Sequence, residues 1–141
     1  MFGILISIAA GAAMSVQGVM NTRLGESVGT AEANAFVQAT AAVLAAAALL
    51  FHRDGSFAAL ADTSPVYMLG GVLGLIITLT VMLGMRALSP AVAVSVILVS
   101  QLLTAAAIDA LGLLGTEKVP LSWGKALGAA LMIAGVIIFK R

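Results

Sequence analysis

The chain has no cysteine and, among its 141 residues, a single histidine, His52. Without thiols there is neither a disulfide framework nor a thiolate metal site, and one imidazole cannot build a histidine-rich centre, so no metal and no cofactor is expected. Charge is scarce as well. Seven basic and six acidic residues make up 9% of the chain and leave a net charge of +1, which offers no hint of nucleic-acid binding. No set of Ser, His and Asp, no phosphate loop and no paired central carboxylate is present, so an enzyme is not expected.

What fills the chain instead is hydrocarbon. Hydrophobic residues occupy 62% of positions and the mean hydropathy is +1.16, far too apolar for thirteen charged residues to keep in solution. This composition indicates an integral membrane protein. Crossing about 30 Å of hydrocarbon takes roughly 20 helical residues, and five runs qualify: Phe2 to Met20, Ala31 to Phe51, Val66 to Met85, Ala91 to Leu111, and Trp123 to Phe139. The segments between them, such as "NTRLGESVGT" and "HRDGSFAALADTSP", carry the charge, Gly, Pro and hydroxyl residues of turns and caps. Barrel strands alternate apolar and polar residues, and these runs do not. The first run offers small residues for signal cleavage in "AAGAA". It lacks a basic leader and continues into further spans, so it is expected to remain as a helix. The reading is a single all-α transmembrane domain over residues 1–141, with five helices.

Phe51, Tyr67 and Trp123 fall at span ends on the N-terminal side, where amphipathic rings favour the headgroup level. Loop charge barely chooses an orientation. Arg53, Lys118 and Lys125 lie on the N-terminal side, and Arg23, Arg86, Lys140 and Arg141 on the other, three against four. Either the chain inserts weakly with its C-terminus inside, or it inserts both ways and pairs antiparallel.

Small residues mark places where helices can approach closely. Gly70 and Gly74 are four apart in the third run, as are Gly124 and Gly128 in the fifth, with Gly135 seven further on. Packing within one chain and packing between subunits both fit. The second run, "ATAAVLAAAALL", makes a thin, smooth helix suited to a crowded bundle interior.

Amides sit deep in this frame. At about 1.5 Å per residue, Gln101 lies near the middle of its span, Gln38 about 5 Å from the middle of its own, and Gln17 and Asn34 roughly 10 Å off centre. Gln17 with Asn21, and Asn34 with Gln38, are each four apart and form two polar stripes. An amide facing hydrocarbon alone costs several kcal/mol, so each must face a partner helix, the bundle interior or water. The stripes, with Ser100, Gln101 and Thr104, are candidates to line a substrate pathway; bonding one another as helix glue is the alternative. Glu32 at the mouth of the second span suits a helix N-terminus, whereas Asp109 lies at the end of its helix that the dipole disfavours. Both are candidates for coupling or gating.

The order "GAAMSVQGVMNTRLG", "YMLGGVLGL", "VSQLLTAAAIDALGLLG" and "VPLSWGKALGAALMIAGVIIFKR" resembles the small bacterial YdcZ-like proteins of the drug/metabolite transporter superfamily. The resemblance spans nearly the whole chain. It implies an inner-membrane protein of five helices, equivalent to one half of a ten-helix transporter built from inverted repeats. Small multidrug-resistance relatives are antiparallel dimers with a Glu midway along the first helix; here the neutral Gln17 is the nearest polar group, which argues against proton-coupled export of cationic drugs. The expected function is secondary transport, with export of a small polar or amphipathic metabolite by alternating access, in the lipid bilayer and as a homodimer. A non-transporting membrane subunit or scaffold and a carrier of lipid headgroups are the alternatives.

Overall fold

The computed structural model describes residues 1–140; Arg141, counted above among the charges of the C-terminal side, lies outside them. Among the described residues the chain is helical with no strand: α1 Phe2–Val28, α2 Thr30–Phe51, α3 Pro65–Met68, α4 Gly70–Ala87, α5 Pro90–Leu111 and α6 Trp123–Phe139, with 3-10 turns at Phe57–Asp62 and Leu113–Gly115. Four stretches, Phe2–Val28, Thr30–Phe51, Pro65–Ala87 and Pro90–Leu111, are long and apolar enough to cross a bilayer. At 17 residues, α6 is shorter, about 25 Å of helix.

The helix ends follow local chemistry. Ser89 and Ser122 precede α5 and α6, and their hydroxyls accept the Val92 and Lys125 backbone N–H groups at 3.4 and 3.3 Å. Pro90 opens α5 at a position that needs no N–H, and Gly112 closes it in the left-handed region at φ 65°. Most hydroxyl residues inside the spans are satisfied within their own helices. Ser7, Ser15, Thr22, Thr40, Thr78, Thr80 and Ser95 each donate to the carbonyl four residues earlier, Thr80 sharing its hydroxyl with the Ile77 carbonyl, so they need no partner from another helix.

Two helix boundaries differ from the apolar pattern. The first apolar run stops at Met20, but α1 continues through Asn21, Arg23 and Glu26 to Val28. Arg23 and Glu26 pair at 2.9 Å one turn apart, and Ser27 donates to the Arg23 carbonyl, so this charged stretch is solvated helix rather than loop. The third run is divided at Leu69, just before the weak helix formers Gly70 and Gly71.

The chain divides into two compact units, Met1–Ala87 and Leu88–Arg141. In the first, α1, α2 and α4 pack mutually as a three-helix bundle. Its buried residues gather at one end: Gly18, Asn21, Thr22 and Gly25 of α1, Ala33 and Asn34 of α2, and Met82 and Met85 of α4. α1 and α2 are joined by one residue, Gly29, at φ 101° and ψ 146°. The other ends of these helices are exposed within the chain, including the alanine-rich part of α2 expected in a bundle interior. The second unit is a hairpin of α5 and α6. Its connection is tied down where the Val119 N–H donates to the Asp109 backbone carbonyl at 2.8 Å.

Candidate functional site

The buried end of the first unit is built on absent side chains. A Cβ on Gly18 would meet Met85 Cε at 2.6 Å and Val81 Cγ1 at 3.2 Å, and one on Gly25 would meet Met82 Cε at 2.5 Å and Arg86 Nη2 at 2.9 Å. The helix backbone of α1 therefore lies directly against the methionine side chains of α4. Between these two glycines fall Asn21 and Thr22, both buried, and across from them on α2 lies Asn34, 2% exposed.

Asn34 is where the polar accounting fails. Its Oδ1 is buried and accepts no hydrogen bond, the one such side-chain atom among the described residues. Thr22 escapes this problem because its hydroxyl donates to the Gly18 carbonyl at 2.7 Å. An amide has no comparable local solution, since its carbonyl needs a donor from elsewhere. One turn further along α2, half-buried Gln38 points its Nε2 toward α4, 3.9 Å from where a Cβ on Gly74 would stand.

The other predicted pathway residues are placed differently. Gln17 is exposed, one residue before the buried Gly18, so it turns away from the methionine contact. Ser100, Gln101 and Thr104 are exposed on α5, in the second unit. Ser100 and Thr104 also lack the bond to the preceding turn that the other span hydroxyls make. Among the described residues, none of the five amides at membrane depth bonds to another. Glu32 is exposed in the first turn of α2, its carboxylate against Gly29, and Asp109 is half-buried in the last turn of α5.

The glycines singled out for helix contact divide similarly. Gly74 faces Gln38, whereas no atom lies within 4 Å of a Cβ placed on Gly70, Gly128 or Gly135, and Gly124 meets only its neighbouring Ser122 hydroxyl at 3.9 Å. The close approaches fall at Gly18 and Gly25, which sequence reasoning missed. A signal was present: Gly11, Gly18 and Gly25 recur every seven residues along α1. Away from all the amides, a cleft of about 440 Å³ lies between the end of α2 and the following loop, bordered by Arg53 and Asp54.

A bundle of apolar helices with an unpaired amide in its core invites comparison with membrane carriers. A family model described as "Putative inner membrane exporter, YdcZ" matches residues 2–138. The chain belongs to the YdcZ family. No curated protein and no solved structure matches it. As a YdcZ member it is a multi-pass inner-membrane protein, and its four membrane-length helices agree with that placement. Among the described residues, no group of His, Cys, Asp and Glu is arranged to hold a metal ion.

Proposed function

We propose that this YdcZ protein is a secondary transporter that exports a small polar or amphipathic metabolite by alternating access. The working form is a homodimer of five-span chains, antiparallel, in which each chain is one half of an inverted-repeat carrier. The observation that carries the reading is the buried Asn34 with its unpaired Oδ1.

Helix glue would spend the amides on one another, since an unmet buried carbonyl costs about 1 to 3 kcal/mol. In this bundle the cost stands, and a polar substrate that donates to Oδ1 is a reason for it to persist. Asn34 with Gln38 and Asn21 makes a short polar wall in the first unit, with Gln17 exposed at the edge of the same side of α1. Ser100, Gln101 and Thr104 are its counterpart in the second unit, exposed in the single chain and in need of water, substrate or a partner copy. Carriers built from inverted repeats hold substrate near the midplane at the repeat interface, which is the depth of Gln101. Glu32 and Asp109 are the carboxylates available for coupling or gating.

The test is flux. The purified chain in liposomes, screened against a panel of small metabolites with proton and charge readouts, should move at least one of them. Asn34→Leu should abolish that flux while leaving the melting temperature unchanged or raised, because the substitution removes an unpaired polar group and keeps the number and branching of the side-chain heavy atoms. Normal flux in the variant, or loss of stability in step with activity, would assign Asn34 to the fold and favour a scaffold.

A further inference from the structure

The second unit carries a feature that the transport reading touches only at Asp109. A groove of about 720 Å³ runs along the seam of α5 and α6, within the range of small-molecule sites. Its walls are apolar and mostly small: Leu102 and Ala106 on α5, and Gly128, Ala129, Met132 and Ile133 on α6. At one end it is bordered by two opposite charges, Asp109 and Lys125, with Leu121 beside them.

Each charge sits at the end of its helix that the backbone dipole disfavours. Asp109 is in the last turn of α5, where the carbonyl end already attracts cations, and Lys125 is in the first turn of α6, where the N–H end already attracts anions. Both positions cost stability for an isolated side chain. For a ligand, however, they reinforce: carboxylate and helix C-terminus together favour a cation, and ammonium and helix N-terminus together favour an anion. The two side chains do not neutralise each other, since Arg23–Glu26 is the one ion pair among the described residues. The Asp109 backbone is held in place by the Val119 N–H, so the connection folds back over this end of the hairpin.

We propose that this groove binds a zwitterionic phospholipid, with its ammonium at Asp109, its phosphate at Lys125 and one acyl chain along the seam of α5 and α6. Length agrees with this occupant. From Lys125 to Ile133 the groove descends about 12 Å, close to the roughly 15 Å depth of one leaflet's hydrocarbon. Both charges then lie at headgroup level, near Trp123 at the start of α6. The site stands apart from the amides and does not depend on transport.

The experiment uses the full-length protein, delipidated in detergent and titrated with dioleoyl phosphatidylethanolamine or dioleoyl phosphatidylglycerol. Bound lipid is counted by native mass spectrometry. The two lipids share chains and phosphate, and the second lacks the ammonium. The wild type should retain phosphatidylethanolamine about ten-fold more tightly, as one charge-assisted contact allows. Asp109→Asn should erase that preference, and Lys125→Gln should weaken both lipids together. Ala106→Phe, which fills the groove, should weaken both as well. Because that variant can fail to fold, the preference ratio of Asp109→Asn decides independently. Equal retention of the two lipids by the wild type, or an unchanged ratio in Asp109→Asn, overturns the proposal. It is also overturned if Ala106→Phe breaks a dimer without changing lipid retention, since the groove would then seat a second copy of the chain.

Discussion

The terminal methyl of Met82 lies 2.5 Å from the point where a Cβ on Gly25 would stand, so α4 rests on bare α1 backbone there. The same relation recurs one heptad earlier between Gly18 and Met85, at 2.6 Å. Gly18→Leu and Gly25→Leu should each destabilise the first unit by about 1 to 3 kcal/mol, the usual cost of overpacking. The corresponding Ala variants should be milder, because the obstructing atoms are the mobile ends of methionine side chains. Gly3→Leu and Gly11→Leu, with nothing within 4 Å, serve as controls. Thermal unfolding in detergent should separate the two pairs.

Gly29→Ala should also destabilise, for a backbone reason. Its φ of 101° and ψ of 146° lie where L side chains are strained, at about 1 to 3 kcal/mol, and the new methyl would press on the Glu32 carboxylate. Combining Gly29→Ala with Glu32→Ala removes the contact and keeps the strain. Recovery of little of the lost melting temperature is therefore expected from the double variant.

Gln101→Leu should abolish flux with little change in melting temperature, because the side chain is exposed in the chain and supports no neighbour. Gln17→Leu, equally exposed on α1, should likewise leave the melting temperature in place. Flux and thermal unfolding measured on the same preparations would show whether either amide belongs to the pathway. Wild-type flux from Gln101→Leu would remove it.

An antiparallel homodimer requires dual insertion, which the three-against-four balance of loop charge permits. Reporters active on one side only, fused to the C-terminus, should give signal from both sides, and two added Lys at one end should bias the result. Signal from a single side would exclude an antiparallel homodimer and call for a parallel one or a different partner.

Four spans were legible because hydrocarbon thickness imposes a length that few polar residues interrupt, and the fifth run was legible as a shorter helix. Trp123–Phe139 matches α6 at both ends, since Ser122 caps it and the apolar run stops where the helix does. α1 was read short because Arg23, Gly25 and Glu26 resemble a turn when judged by residue type. Their helical role rests on contacts that residue type alone does not show: Gly25 admits Met82 of α4, and Arg23 pairs with Glu26 one turn on in the same helix. The amides were legible as a set by depth, but their burial was not. Spacing by four places Gln17 and Asn21 on one side of α1, yet Asn21 is buried and Gln17 exposed. Which of two such residues is covered depends on the phase of the neighbouring helices, and hydropathy carries no information about that phase in a helix that is apolar all round.

The buried residues of the first unit all lie at one end, from Gly18 to Gly25 on α1, at Ala33 and Asn34 on α2, and at Met82 and Met85 on α4. Mechanically this is a pair of tongs, pinned where α1 turns through Gly29 into α2 and free at the far tips. The arm of α2 from Asn34 to Phe51 is about 25 Å long, so a rotation of only about 10° at the pin sweeps the tip through about 4 Å.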